Sequence, residues 1–124
     1  TVEEHLRFHK ETGCFVTIDV THLCSLLPYG ESLFKAIADL APVTRHLHIA
    51  DLNNTHHQHL PIGEGNLRLS DVLNRFAVNG YRGVAVVEEF IPRFSTEYYL
   101  EKALAYKNGV EQLLAGSRHS THAG

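Results

Sequence analysis

Histidines and carboxylates are the residues of this sequence whose types and spacing point to chemistry. The chain has ten histidines in 124 residues, and five of them fall within one stretch of fourteen residues. Imidazole is the commonest protein metal ligand and titrates near neutral pH, so this cluster indicates metal binding or proton transfer. Its members are His46, His48, His56, His57 and His59.

Three hydrophobic runs each carry an ionisable residue near their carboxyl end. Side chains alternate between the two faces of a strand, and this alternation puts Asp19, His48 and Glu88 on the face opposite a fully apolar one. Burying an unpaired carboxylate there is costly, and a divalent cation removes that cost. The pattern therefore favours a metal site over the alternative of three unrelated polar residues satisfied by backbone or solvent.

Strands and helices alternate along the chain and must position these residues. Short apolar, β-branched runs predict three strands, apolar residues at helical spacing predict three helices, and a largely charged run that ends at Gly13 predicts one more helix before them. This order predicts the fold class α/β, with one helix followed by three consecutive strand–helix units around a parallel sheet. The predicted strands cover 14–20, 46–50 and 83–89, the helices 2–12, 33–40, 70–79 and 95 onward, and a long polar loop 52–67.

The composition excludes several classes of protein. Hydrophobic residues make up 44% and charged residues 20% of the chain, which is typical of a globular rather than a disordered protein. A net charge of −3 offers no basic surplus for extended nucleic-acid binding. The sequence has neither a membrane-spanning run nor a signal peptide, so we expect a cytoplasmic setting. Cys14 and Cys24 are predicted to be small core residues.

Four segments carry a resemblance to a known family. In their order and spacing the chain resembles the C-terminal part of the xylose isomerase-like TIM-barrel superfamily, which includes sugar (phosphate) isomerases and epimerases and the endonuclease IV type of AP endonuclease (family 2). The resemblance implies three consecutive β-α units from the C-terminal half of a parallel (β/α)8 barrel over residues 1–115. The small and polar residues of 116–124 predict a flexible tail. The segments are Asp19-Val-Thr-His22, His46-Leu-His48-Ile-Ala-Asp51, Pro61-Ile-Gly63-Glu64-Gly65 and Val86-Val87-Glu88.

The resemblance implies a metal site at the ends of the sixth, seventh and eighth barrel strands. By position, Asp19, His48 and Glu88 correspond to the family ligands of one divalent metal, which would be Mn, Zn, Co, Fe or Mg. A fourth ligand, a glutamate, usually comes from the fourth strand of the barrel, which this sequence does not contain. The implied site is therefore incomplete within this chain.

The resemblance also implies roles for residues around the metal. Glu88 and His22 are the predicted catalytic residues, with Glu88 doubling as a ligand and His22 also contacting substrate. His59 and Glu64 are predicted to bind substrate. For His59 a metal ion is the alternative, since the matching histidine of the endonuclease branch binds zinc, and for Glu64 the alternative is a surface position. His56 and His57 are predicted to be solvated loop residues. Asp51 is predicted either to orient His48 through a hydrogen bond or to anchor the loop that follows.

The resulting hypothesis is a metal-dependent sugar (phosphate) isomerase or epimerase that works through an enediolate intermediate. One alternative is a zinc phosphodiesterase of the endonuclease IV type, and another is a catalytically incomplete half barrel that acts as a binding or structural module. The expected partners are a small sugar or polyol substrate and either the missing N-terminal half of the barrel or further copies of this chain. Nucleic acid and membrane are not expected partners.

Overall fold

A parallel sheet of three strands positions the rest of the structure. The computed structural model describes residues 1–53, 56–88 and 95–122. The strands β1, β2 and β5 form this sheet in that order, so that β2 is its central strand, while β3 and β4 form a separate antiparallel pair. The strand bounds are β1 Val16–Asp19, β2 Thr44–Ile49, β3 Asp51–Asn53, β4 His56–Leu60 and β5 Val84–Val87.

Five helices accompany these strands in the described part of the chain. A short 3-10 turn over Ala41–Val43 leads from the third helix into β2. Within residues 1–53, 56–88 and 95–122, no helix combines the length and the apolar character that crossing a membrane requires. The helix bounds are α1 Val2–Thr12, α2 Val20–Leu26, α3 Glu31–Leu40, α4 Leu69–Val78 and α5 Thr96–His122.

The predicted fold class is confirmed, and one helix and one pair of strands were not predicted. Three parallel strands with their helices are consistent with part of a TIM barrel, as expected. Helix α2 was missed because it begins directly where β1 ends, inside a segment that holds two β-branched residues, Val20 and Thr21. The β3–β4 pair lies within the predicted polar loop, where five consecutive residues, His56–Leu60, hold only one apolar side chain to mark a strand.

The two faces of the sheet differ as the alternation of side chains predicts. Val16 and Ile18 of β1 and Leu47 of β2 are buried in the hydrophobic core with side chains of α3 and α4 such as Ile37 and Phe76. The opposite face is open: Val84 is 63% exposed and Val86 38% exposed. One face of the sheet is therefore covered by helices, and the face that carries the candidate ligands is uncovered.

The prediction that both cysteines lie in the core is wrong for Cys14. Cys14 is exposed, because β1 begins only at Val16 and Cys14 precedes it. Cys24 is half-buried on α2 and packs against the core.

The last helix is longer than the sequence indicates. The backbone of α5 continues through residues 116–122, where a tail is predicted. Ser95 begins this helix by accepting a hydrogen bond from the backbone N–H of Tyr98, which agrees with the predicted start at Ser95-Thr96. The looseness of the tail stays a prediction.

A buried carboxylate organises the segment between β2 and α4. Asp51 is 3% exposed, and its carboxylate accepts hydrogen bonds from the backbone N–H groups of Leu52, Gly63 and Leu67. Three charge-assisted bonds of this kind offset the cost of burying the charge. Gly65 packs directly onto this carboxylate, since a Cβ there would lie 2.4 Å from Asp51 Oδ1.

This contact predicts that Gly65→Ala destabilises the protein. A methyl group at residue 65 must displace either the Asp51 carboxylate or the Leu52 carbonyl, and such overpacking costs about 1–3 kcal/mol. Urea unfolding should show a correspondingly lower midpoint. The matched control is Gly109→Ala on α5, where a Cβ meets nothing within 4 Å and the better helix propensity of alanine should stabilise slightly. Equal effects of the two substitutions would contradict the prediction.

Candidate active site at the carboxyl edge of the sheet

The parallel register aligns the ends of the three strands. Asp19 is the Cα partner of His48, and His48 is the Cα partner of Val86. The backbone N–H of Glu88 extends the ladder by donating to Ile49 O at 2.9 Å. Asp19, His48 and Glu88 therefore lie near one edge of the sheet, as the sequence predicts from the carboxyl ends of parallel strands.

Asp19 caps the helix α2 in addition to lying at this edge of the sheet. Its Oδ1 accepts a hydrogen bond from Thr21 Oγ1 at 2.6 Å and another from the backbone N–H of His22 at 3.0 Å. These bonds make Asp19 the N-cap of α2 and fix the orientation of its carboxylate. Its Oδ2 lies 3.7 Å from His59 Nε2.

Glu88 is held by two histidines through different atoms. Its carboxylate Oε2 lies 2.7 Å from His48 Nδ1. Its backbone carbonyl oxygen lies 3.2 Å from His59 Nδ1. The His48 ring also meets the ring of His46 edge-on, with 4.8 Å between the centroids. The position of Glu88 is thus set by both β2 and the β3–β4 pair.

One cluster in the described part of the chain has the geometry of a cation site. One ligand atom each from Asp19, His59 and Glu88 lie within 4.8 Å of one another. This cluster contains two of the three predicted metal ligands together with His59, which the sequence predicts to bind substrate. His48 adjoins the cluster through its contact with Glu88. The side chains of His56 and His57 lie outside the described residues.

The other predicted site residues have different surroundings. His22 is exposed in the first turn of α2, where it lines, together with Asp19, a groove of about 380 Å³ beside α1. Glu64 accepts a hydrogen bond from the Tyr98 hydroxyl and lies 3.5 Å from Lys102 Nζ, both on α5. Glu64 is therefore tied to the last helix.

The hydrogen bonds of Asp51 favour the loop-anchor alternative for this residue. Each hydrogen bond that the described residues give to its carboxylate comes from the backbone of 52–67. Asp51 thereby holds the base of the β3–β4 pair, whose register places Asp51 opposite Leu60. The family resemblance predicts His59 as a site residue, but its closeness to Asp19 was not predictable without this pair. The one signal in the sequence is the apolar side chain of Leu60. Because Leu60 is buried on one face of β4, the neighbouring His59 must point to the opposite face.

The thiol next to Asp19 does not join the donor set. Burial, and to a lesser extent the negative charge of Asp19, raises the pKa of Cys24 to about 12. Only a thiolate is an effective metal ligand or nucleophile, so Cys24 remains an uncharged thiol at neutral pH. The candidate donors at this edge are therefore carboxylates and imidazoles.

Comparison with known proteins identifies the type of fold. Residues 1–115 match the family described as xylose isomerase-like TIM barrel. A similar solved structure is described as a D-tagatose 3-epimerase-like protein, with a TM-score of 0.58 and 22% identity; the match covers 86% of this chain and 37% of that chain. At this identity the likeness shows the fold alone. None of the curated protein sequences gives a significant match.

Asp19 both caps α2 and belongs to the candidate cation cluster, and we predict that different substitutions separate these two roles. Asp19→Asn keeps an oxygen for the cap, because asparagine is as good an N-cap as aspartate, and should change the free energy of unfolding little. Asp19→Ala removes the cap and should destabilise by about 1 kcal/mol. Urea unfolding of both variants, with Asp39→Asn on the exposed side of α3 as control, measures this difference. Equal destabilisation by Asn and Ala at residue 19 would contradict the capping role.

Proposed function

This chain belongs to the xylose isomerase-like TIM-barrel family, and we propose that the barrel to which it contributes is a metal-dependent isomerase or epimerase of a sugar, sugar phosphate or related polyol. The observation that carries the proposal is the cluster of Asp19, His59 and Glu88, with His48 adjoining, at the carboxyl edge of the sheet. Ligands bind at this edge in parallel α/β folds. The D-tagatose 3-epimerase-like neighbour supports a ketose or a similar polyol as the substrate class.

The chemistry of the donor set fits a divalent cation. Two carboxylates and one imidazole, with the His48 imidazole adjoining through Glu88, form a mixed oxygen and nitrogen set that suits Mn, Zn, Fe or Co and, less well, Mg. When bound, such a cation would polarise adjacent carbonyl and hydroxyl oxygens of the substrate and stabilise the negative charge of an enediolate.

In this proposal Glu88 is the residue that moves a proton. Its carboxylate is partly exposed at the edge of the sheet, and His48 Nδ1 lies within hydrogen-bonding distance of Oε2. A histidine in this position orients the carboxylate and can relay a proton away from it. His22, exposed beside Asp19, would contact substrate hydroxyl groups. In this proposal Glu88 and His22 keep the catalytic roles that the family resemblance implies.

Exchange with heavy water tests the proposed reaction. A barrel protein that includes this chain, loaded with Mn²⁺ or Co²⁺ and given a ketose in D₂O, should place deuterium on a substrate carbon, as measured by NMR. Glu88→Gln should slow this exchange by about 10²–10⁴-fold, the usual contribution of a general acid–base group. Glu97→Gln, in the exposed first turn of α5, is the matched control and should leave the rate unchanged.

One outcome of that experiment would overturn the role of Glu88, and another would overturn the proposed type of reaction. Unchanged exchange in the Glu88→Gln variant would remove Glu88 from the reaction. Cleavage of abasic-site DNA by the same preparation, without sugar exchange, would favour the endonuclease alternative. The cytoplasmic setting stays a prediction.

The open sheet face requires a partner in this proposal. The chain spans 37% of the epimerase-like structure, and its three strands leave both β1 and β5 as sheet edges. Phe15, 48% exposed, joins Val84 and Val86 on the uncovered face. Apolar side chains on an uncovered sheet face are typical of an interface. We propose that the remaining barrel strands, or further copies of this chain, cover them.

This reasoning predicts that the isolated 124-residue chain associates. Light scattering after size-exclusion chromatography should give masses above 13.9 kDa. Val84→Lys should reduce association, because it places a charge on the uncovered face. Val78→Lys, at a 50% exposed position on α4, is the control and should have little effect. A chain that remains a 13.9 kDa monomer at all concentrations would contradict the prediction.

A further inference from the structure

We propose that a cavity between the helices α4 and α5 binds a small neutral molecule that carries a hydroxyl group on an apolar body. The cavity has a volume of about 390 Å³, which is within the usual range of small-molecule sites. It lies on the helix-covered side of the sheet, where its lining includes Leu69 of the hydrophobic core. The site goes beyond the proposed function, because the cavity is lined by none of Asp19, His48, His59 and Glu88.

The hydroxyl group of Tyr106 is the observation that points to a ligand. Its oxygen is buried and has no hydrogen-bond partner among the residues that the structure describes. The Tyr106 ring packs against the hydrophobic core, which limits its freedom to turn the hydroxyl towards solvent. A buried polar group without a partner has lost its hydration without compensation. Because Tyr106 lines the cavity, a molecule bound there can supply the missing partner.

The groups around Tyr106 define the chemistry of that partner. Burial, and to a lesser extent the negative charge of Asp51, raise the pKa of Tyr106 above its usual value, so the hydroxyl stays protonated and can donate. Asp51 also lines the cavity, and its Oδ2 accepts one hydrogen bond from the described residues, that of the Gly63 N–H. A carboxylate oxygen has room for two. An alcohol can accept from Tyr106 and donate to Asp51, whereas a ketone can only accept.

The charges in the lining favour a neutral ligand. The cavity is lined by one cation, Lys102, and one anion, Asp51. Lys102 Nζ already lies 3.5 Å from Glu64 Oε1, and the Asp51 carboxylate already accepts three backbone hydrogen bonds. A charged ligand would therefore be attracted by one of these groups and repelled by the other.

Apolar walls accommodate the rest of the molecule. Ile62 and Leu69 are buried side chains that face the cavity. A smaller cavity of about 140 Å³ adjoins the first and continues between α4 and α5, where Gly109 leaves space because it has no side chain. An apolar body can therefore extend from the hydroxyl group into a largely apolar groove. The two cavities share Ser70, Ala105 and Tyr106.

Binding of cyclohexanol to a barrel protein that includes this chain tests the inference. A titration followed by NMR should show saturable shifts of the Ala105 and Tyr106 signals, and cyclohexanone should bind more weakly because it cannot donate to Asp51. Tyr106→Phe should weaken the binding of cyclohexanol by about 2–10-fold, the contribution of one hydrogen bond. This variant should fold normally, since it removes only a hydroxyl without a described partner. Ala105→Leu should also weaken binding, because it adds a larger side chain to the wall that both cavities share.

The matched control is Tyr99→Phe. Tyr99 lies on the same helix but lines neither cavity, so this substitution should leave the affinity for cyclohexanol unchanged. An equal loss in the Tyr99 and Tyr106 variants would overturn the inference, and so would equal affinities for cyclohexanol and cyclohexanone. Absence of saturable binding would mean that the cavity takes up water only and would overturn it as well.

The outcome is independent of the proposed function. No residue of the cation cluster enters the titration, so a failure to bind cyclohexanol leaves the proposed isomerase or epimerase reaction in place. Glu88→Gln, which should slow deuterium exchange, should leave the affinity for cyclohexanol unchanged, since Glu88 does not line the cavity. Loss of cyclohexanol binding in this variant would contradict a separate site between α4 and α5.

Discussion

The parallel register of β1, β2 and β5 is the constraint on which the candidate site depends. Pairing of Asp19 with His48 across the ladder, and of Glu88 N with Ile49 O, brings residues from distant parts of the chain to one edge. A shift by one residue in either pairing would turn an entire set of side chains to the opposite face. The apolar core below the sheet prevents that shift, because it would bury the ionisable residues and expose those that now pack on α3 and α4.

Asp51 fixes the backbone of the segment that lies next to the same edge. Its buried carboxylate accepts hydrogen bonds from backbone N–H groups between β3 and α4 that have no strand partner. Gly65, which has no side chain, lets the backbone pass close to this carboxylate. The result is a compact support for His59 rather than a long loose loop. The buried carboxylate of Asp51 has a structural role and thus determines the position of the His59 imidazole in the candidate site.

The sequence predicted the parts of the structure that follow from strong patterns. The three strands of the sheet, the helices α3, α4 and α5, and the two faces of the sheet follow from apolar periodicity, and α1 follows from the charged run that ends at Gly13. Helix α2 was not predicted, because it begins directly after β1 with two β-branched residues, Val20 and Thr21. The β3–β4 pair was not predicted, because it depends on longer-range hydrogen bonds that Asp51 accepts from Gly63 and Leu67. For the same reason Asp19, His48 and Glu88 were predictable as neighbours, while the closeness of His59 to Asp19 was not.

The uncovered face changes in polarity along the strands, from Phe15 and Val84 at one end to Asp19 and Glu88 at the other. Any polypeptide that covers this face lowers the dielectric constant around the carboxylates and raises the cost of their like charges. A cation at the edge would neutralise part of that charge. In the proposed function, assembly and cation binding would be thermodynamically linked: each would favour the other by the same free energy, so that the apparent cation affinity would report how far the barrel is assembled.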